Sequence, residues 1–149
     1  MSKTAICFYS EHHGNTKKLL DALCAAHSDI ALIDVTDRHE VDLSMYDIIG
    51  FASGIYFGKF AEPLLNFARV NLPPQKEVFY IASCGSKRNG YFKAISDVAK
   101  NKQCIEKGEY LSLGFDTYGP FKMVGGIAKG HPDDSEIQGV IDFYEGNII

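Results

Sequence analysis

Apolar and polar positions fall in blocks along the chain, and the blocks have two different periods. Residues 5–9, 30–35, 46–52, 77–83 and 110–115 are short runs dominated by apolar side chains. Most lack strict alternation, which predicts β-strands covered on both faces. Between and after them the apolar positions recur at helical spacing. Leu19, Leu20, Leu23 and Cys24 make one stripe, and Leu64, Leu65 and Ala68 a second. Phe92, Ile95, Val98 and Ala99 make a third, and Ile137, Val140, Ile141 and Tyr144 a fourth. Each stripe is the buried face of an amphipathic helix. Pro63 falls in the first turn of its helix, and Pro132, followed by Asp133 and Asp134, marks the start of the last.

Strands alternating with helices predict an α/β fold: a doubly wound, five-stranded parallel sheet with helices on both faces and right-handed crossovers. The crossover between the second and third strands is short, so its helix is expected to be small or irregular. No repeat, low-complexity stretch or linker interrupts the pattern, and residues 1–149 are expected to form one domain.

Composition narrows the setting. Hydrophobic residues make up 46% and charged residues 23%, values of a globular chain. The formal charge of −4 argues against nucleic acid or an anionic membrane as partner. No apolar stretch approaches the ~20 residues that span a bilayer, and residues 1–4 run into the first strand, so no signal peptide is expected. Cys7, Cys24, Cys84 and Cys104 are scattered, with no Cys-x-x-Cys pair, which predicts reduced thiols and a cytoplasmic location.

The chemistry concentrates where the first, third and fourth strands end. Ser10-Glu11-His12-His13-Gly14-Asn15-Thr16 turns from strand into helix. A helix start carries unsatisfied N–H groups and the positive end of the dipole, so it suits phosphate. The third strand runs into Ser53-Gly54-Ile55-Tyr56-Phe57-Gly58-Lys59, two adjacent aromatics framed by glycines. The fourth runs into Ser83-Cys84-Gly85-Ser86, a compact turn, and then reaches Tyr91. In an open parallel sheet such carboxyl-end loops converge on the ligand. A phosphate cradle beside aromatic loops fits a flat, phosphorylated heteroaromatic cofactor, a description that flavin mononucleotide (FMN) meets.

These loops carry a resemblance to the flavodoxin family over nearly the full chain. Gly14, Asn15 and Thr16 match the second half of its phosphate loop, and Cys84-Gly85 is similar to its Cys-Gly segment. Tyr56 or Phe57 stands where a residue that stacks on the flavin is expected. The resemblance implies strand order 2-1-3-4-5, FMN as cofactor, and electron transfer between a reductase and an acceptor protein. The first loop departs from the family: Glu11 and His13 stand at hydroxyl positions, one or both of His12 and His13 are expected to donate to phosphate instead, and Glu11 is expected to face solvent or cap a backbone amide.

Other readings fit less well. The His12–His13 pair has no third metal ligand nearby in sequence, so no metal is expected. Lys87, Arg88 and Lys93 read as a solvated face, and Cys84 as a small residue near the ring. Residues 117–126, long for a connection, suit a cap over the site or a partner surface. A phospho-receiver would need an aspartate where the third strand ends at Ser53-Gly54, and a cysteine phosphatase a different Cys–Arg spacing. The alternatives left are an FMN-dependent NAD(P)H or quinone oxidoreductase and a scaffold that has lost its flavin.

Overall fold

The computed structural model describes residues 3–9, 14–36, 38–114 and 130–149. Along them run β1 (Thr4–Tyr9), α1 (Asn15–Ala26), β2 (Ala31–Asp34), β3 (Ile48–Tyr56) and β4 (Lys59–Phe60). Then come α2 (Glu62–Asn71), β5 (Glu77–Cys84), α3 (Lys93–Asn101), β6 (Ile105–Leu113) and α4 (Asp134–Asn147). The sheet order is β2-β1-β3-β5-β6, all parallel, with the two-residue β4 paired antiparallel to the end of β3. Setting β4 aside, this is the expected 2-1-3-4-5 order.

Side-chain alternation divides each central strand between two cores. Cys7, Ile49, Phe51, Val78 and Tyr80 face Leu64, Leu65 and Ala68 of α2 and Ile95, Val98 and Ala99 of α3. Ile6, Phe8, Ala52, Phe79 and Ile81 face Leu19, Leu20 and Leu23 of α1 and Val140 and Tyr144 of α4. Burying each such large apolar side chain stabilises the fold by ~1.5–3 kcal/mol. Gly50 lies under the ring of Phe79; a Cβ there would come within 2.4 Å of that ring. The missing side chain therefore lets Phe79 reach Tyr144, with ring centroids 5.9 Å apart.

The structure redraws two expected boundaries. β3 continues to Tyr56, so residues 53–56 are strand rather than loop, and they turn through Phe57-Gly58 into β4. β6 begins at Ile105, five residues before the expected 110–115 run, and Phe115 lies outside the described residues. Its first half, Ile-Glu-Lys-Gly-Glu, is largely polar because β6 is the sheet's outer strand. Among the described residues of the crossover from β2 to β3, no helix forms.

Candidate functional site

Parallel pairing brings the strand ends level at one edge. Tyr9 pairs with Ser53, Gly54 with Ser83, and Cys84 with Leu113. α1 begins at this edge. Its N-cap Gly14 is left-handed, at φ 64° and ψ 31°, a conformation that glycine adopts without steric cost. Lys18 N donates to Gly14 O at 3.0 Å, which leaves the first-turn N–H groups directed out of the helix end. Gly14 carries no side chain that could cap this terminus, and among the described residues no acid stands in its first turn. Among the described residues nothing lies within 4 Å of where a Cβ on Gly14 would sit.

Behind that open end the structure is tightly tied. The hydroxyls of Thr16 and Ser83, both buried, are hydrogen-bonded at 2.8 Å and join α1 to the end of β5. Gly114 N donates to Cys84 O at 2.8 Å. A Cβ on Gly114 would sit 2.7 Å from the Asn15 side chain, so a glycine is needed for β6 to close against α1. The Cys84 thiol donates to Ser112 O at 3.5 Å.

The aromatic segment is a hairpin. Phe57 (φ 54°) and Gly58 (φ 80°) form a two-residue turn with positive φ at both positions, the type I′ family. Phe57 is 86% exposed. Tyr56 lies edge-on to Tyr9, with ring centroids 5.9 Å apart. Ser53 is fully buried; its Oγ donates to Gly54 O and accepts from Ala61 N at 3.0 Å, so it anchors the hairpin to the start of α2. After β5, Gly85 is half-buried and Ser86 exposed, and Tyr91 Oη donates to Ser86 O at 2.6 Å to close the turn. Burial holds the Tyr91 hydroxyl above the ordinary tyrosine pKa.

Of the residues expected at a cofactor, Ser10, Glu11, His12 and His13 lie outside the described residues, as does the 117–126 segment. The structure joins Thr16, next to Gly14 and Asn15 at the start of α1, to Ser83 at the end of β5, and Cys84, Gly85 and Ser86 follow Ser83 in the chain. It places Gly54, Ile55, Tyr56, Phe57 and Gly58 on the neighbouring hairpin. Tyr91 braces its loop and Ser53 its hairpin.

Two parts of this edge escaped the sequence pattern. Tyr9 reads as a strand residue yet shares the hairpin's aromatic pair; its place at the last position before a polar turn was the available signal. The second is the start of α4. There the Asp133 side chain accepts from Glu136 N at 2.9 Å, and Glu136 Oε1 from Asp133 N at 3.1 Å, a reciprocal capping box. Glu136 Oε2 accepts from Leu113 N at 2.8 Å and Ser112 Oγ at 3.2 Å, and His131 Nδ1 bonds Glu136 Oε1. The Asp-x-x-Glu spacing at 133–136 was the signal. Burial alone would raise the Glu136 pKa, but the bonds from His131, Asp133 and Leu113 outweigh it and lower the net value. The Glu136 carboxylate in turn raises His131, partly opposed by desolvation. The donor atoms of His131, Asp133 and Glu136 lie within 4.8 Å of one another, but the cap already engages both carboxylates.

All four cysteines are free, and burial pushes the Cys7 thiol up to about 12. Among the described residues no helix is long and apolar enough to cross a membrane.

An α/β sheet of this order, with strand–turn–helix, hairpin and Cys-Gly segments at its carboxyl edge, defines the flavodoxin-like class of folds. The family model described as a flavodoxin domain matches residues 6–104, and the chain belongs to the flavodoxin family. It is 33% identical over 144 residues to an uncharacterized protein of Methanocaldococcus jannaschii, covering 95% of each chain. Oxidised flavodoxin 2 of Bacillus cereus superposes with a TM-score of 0.69 at 15% identity, covering 95% of this chain and 94% of that one. A flavoprotein of Lactobacillus acidophilus solved in complex with FMN superposes with a TM-score of 0.58 at 19% identity, covering 74% and 93%.

Proposed function

We propose that this protein binds FMN at the carboxyl edge of the sheet and carries electrons between a reductase and an acceptor protein. The observation that carries the reading is the start of α1: a left-handed glycine N-cap, a first turn that holds no acid, and a tie to β5 through Thr16 and Ser83. That donor set suits a phosphate, because backbone N–H groups and the helix dipole favour an anion.

The N–H groups of residues 14–16 would hold the phosphate. Tyr56 and Phe57 on one side and Gly85 and Ser86 on the other would border the ring. When bound, FMN supplies a ring that accepts and returns electrons one or two at a time. The chain's task is to bind and orient it. The Thr16–Ser83 bond keeps the phosphate and ring loops at fixed separation, and the hairpin keeps Phe57 at the surface where a partner approaches. The free cysteines support a reducing, cytoplasmic setting for this work.

The test is purification followed by titration with FMN. We expect one FMN per chain retained through gel filtration. The photoreduced protein is expected to pass electrons to a one-electron acceptor such as cytochrome c. NAD(P)H oxidation by the isolated flavoprotein would replace the carrier with the oxidoreductase reading. Failure to retain FMN would overturn both.

A further inference from the structure

The turn that follows β5 holds charge for which the phosphate and ring contacts above have no use. From Val78 to Ser96 the sequence contains three cations, Lys87, Arg88 and Lys93, and no acid. Lys93 is answered within α3 by Asp97, at 2.9 Å. Lys87 and Arg88 fall in the turn itself, between Ser86 and Tyr91, and both are exposed.

The turn is held at both ends. The buried Tyr91 donates from Oη to Ser86 O at 2.6 Å, and Lys93 N donates to Gly90 O at 3.3 Å. Its root is fixed by the Thr16–Ser83 bond and by Gly114 N on Cys84 O. The two cations therefore stand on a short, closed loop directly after Gly85 and Ser86. Their charge is felt on both flanks. Burial raises the pKa of the Tyr91 hydroxyl, and the Arg88 charge opposes that rise. Toward α4, the bond to Glu136 raises the pKa of His131, and the Lys87 charge opposes it. α3 begins at Lys93, and among the described residues its first turn holds no acid, so the positive end of its dipole adds to this side.

The hairpin across the site is built otherwise. Its cation, Lys59, pairs with Glu62 at 2.8 Å, and Arg69 shares that carboxylate at 3.2 Å. The hairpin brings an acid for its cation, whereas the sequence of the β5 turn brings none.

A reducible ring bordered by these two loops feels the difference. Uptake of two electrons and one proton leaves a flavin with one more negative charge than its oxidised form. A cation beside the ring stabilises the reduced form over the oxidised one, within the limit that solvent screening sets. The phosphate carries the same charge in both forms, so its attraction to the cations cancels between them.

We infer that Lys87 and Arg88 raise the reduction potential of the bound flavin by favouring its reduced, anionic form. This role presupposes the FMN site proposed above and assigns the tuning of that site to the turn after β5.

The test is the reduction potential of the FMN-loaded protein near neutral pH, read by equilibration with dyes of known potential. Fluorescence titration gives the affinity for oxidised FMN alongside it. Both side chains are exposed and neither makes the Tyr91–Ser86 bond, so the variants keep the fold. In Lys87→Gln/Arg88→Gln, the reduced flavin is expected to lose about tenfold in affinity relative to the oxidised, which lowers the two-electron potential by ~30 mV. Lys87→Glu/Arg88→Glu is expected to lose about a hundredfold, or ~60 mV. Arg88→Lys alone is expected to keep the parental potential. The gap between parent and glutamine variant is expected to shrink in about 1 M salt, as a charge effect requires. A shift under twofold in the double glutamine variant, or a tenfold shift that R88K shares or that salt leaves intact, would overturn the inference. So would weaker binding of oxidised FMN with an unmoved potential, which would make the two cations phosphate ligands. A parent protein that takes up no FMN overturns the cofactor reading, and this role with it.

Discussion

α1 and α4 pack side by side on one face of the sheet, begin at the same edge, and solve the problem of a helix start in opposite ways. α4 is closed by its own side chains: Asp133 and Glu136 cap each other, and Glu136 also gathers β6 and His131. α1 begins at a left-handed glycine, which has no side chain to cap it, and among the described residues its first turn holds no acid. The N-terminal dipole is equally present in both, so dipole alone does not make an anion site. What differs among the described residues is whether the first turn already holds an acid. The closed end holds the fold together, and the other is the end we propose for the phosphate.

The strongest way to break this comparison is to close the open end. Asn15→Asp places a carboxylate of almost the same shape in the first turn of α1. Two unit charges about 4 Å apart at an effective dielectric of about 20 repel by ~4 kcal/mol. We expect FMN affinity to fall by at least ~100-fold, about 3 kcal/mol, with circular dichroism unchanged. Fluorescence titration measures it, and a loss under threefold would show that the phosphate sits elsewhere.

Opening the closed end is the converse. Glu136→Ala leaves the backbone donors of Leu113 and Asp133 without their acceptor, which we expect to cost about 2–3 kcal/mol in urea unfolding. FMN affinity is expected to change less than about fivefold, since the donors at α1 are untouched. A variant that keeps its stability but loses flavin would reverse the roles assigned to the two ends.

The pH dependence sharpens the same point. Glu136 is held below its ordinary value of 4.5, so its contribution is present above that value and is lost as pH falls through the lowered one. His131 is held above 6.5, so its contribution is full below 6.5 and is lost as pH rises through the raised value. The pair therefore stabilises α4 most between about pH 4.5 and 6.5, with a loss on either side. His131→Gln is expected to flatten the alkaline limb of the urea midpoint and to leave the acid limb largely in place. Equal alkaline limbs in both proteins would remove His131 from the cap.

How much of this was legible in the sequence follows from what each feature depends on. The apolar runs and helical stripes gave the fold, because burial on two faces leaves a strong periodic trace. The Gly-Asn-Thr turn gave the open helix end, because its geometry is local. β6 was read five residues short because the polar pattern of an outer strand resembles a loop. The hairpin was read as loop because Phe57 is a poor residue for a left-handed position, and the chain places it there regardless. The Thr16–Ser83 bond joins residues 67 apart, and Gly114 closes on Asn15 across the fold. No local pattern encodes such contacts.

That misplaced phenylalanine gives the smallest and most discriminating prediction. A non-glycine residue at φ 54° costs free energy that Asn, whose side chain tolerates the left-handed region, would largely avoid. Phe57→Asn converts the turn to Asn-Gly, the sequence best suited to a type I′ hairpin. Because the ring is 86% exposed, little packing is lost, and the variant is expected to be more stable by about 0.5 kcal/mol. The ring is kept at a strained position against that preference, and the variant separates the contacts it could serve. If the contact is with flavin, the variant gains stability, binds FMN several-fold more weakly and shows an altered visible spectrum. If it is with a redox partner, affinity and spectrum stay unchanged while electron delivery slows. A variant less stable than the parent, with both functions intact, would mean that Phe57 serves the hairpin itself.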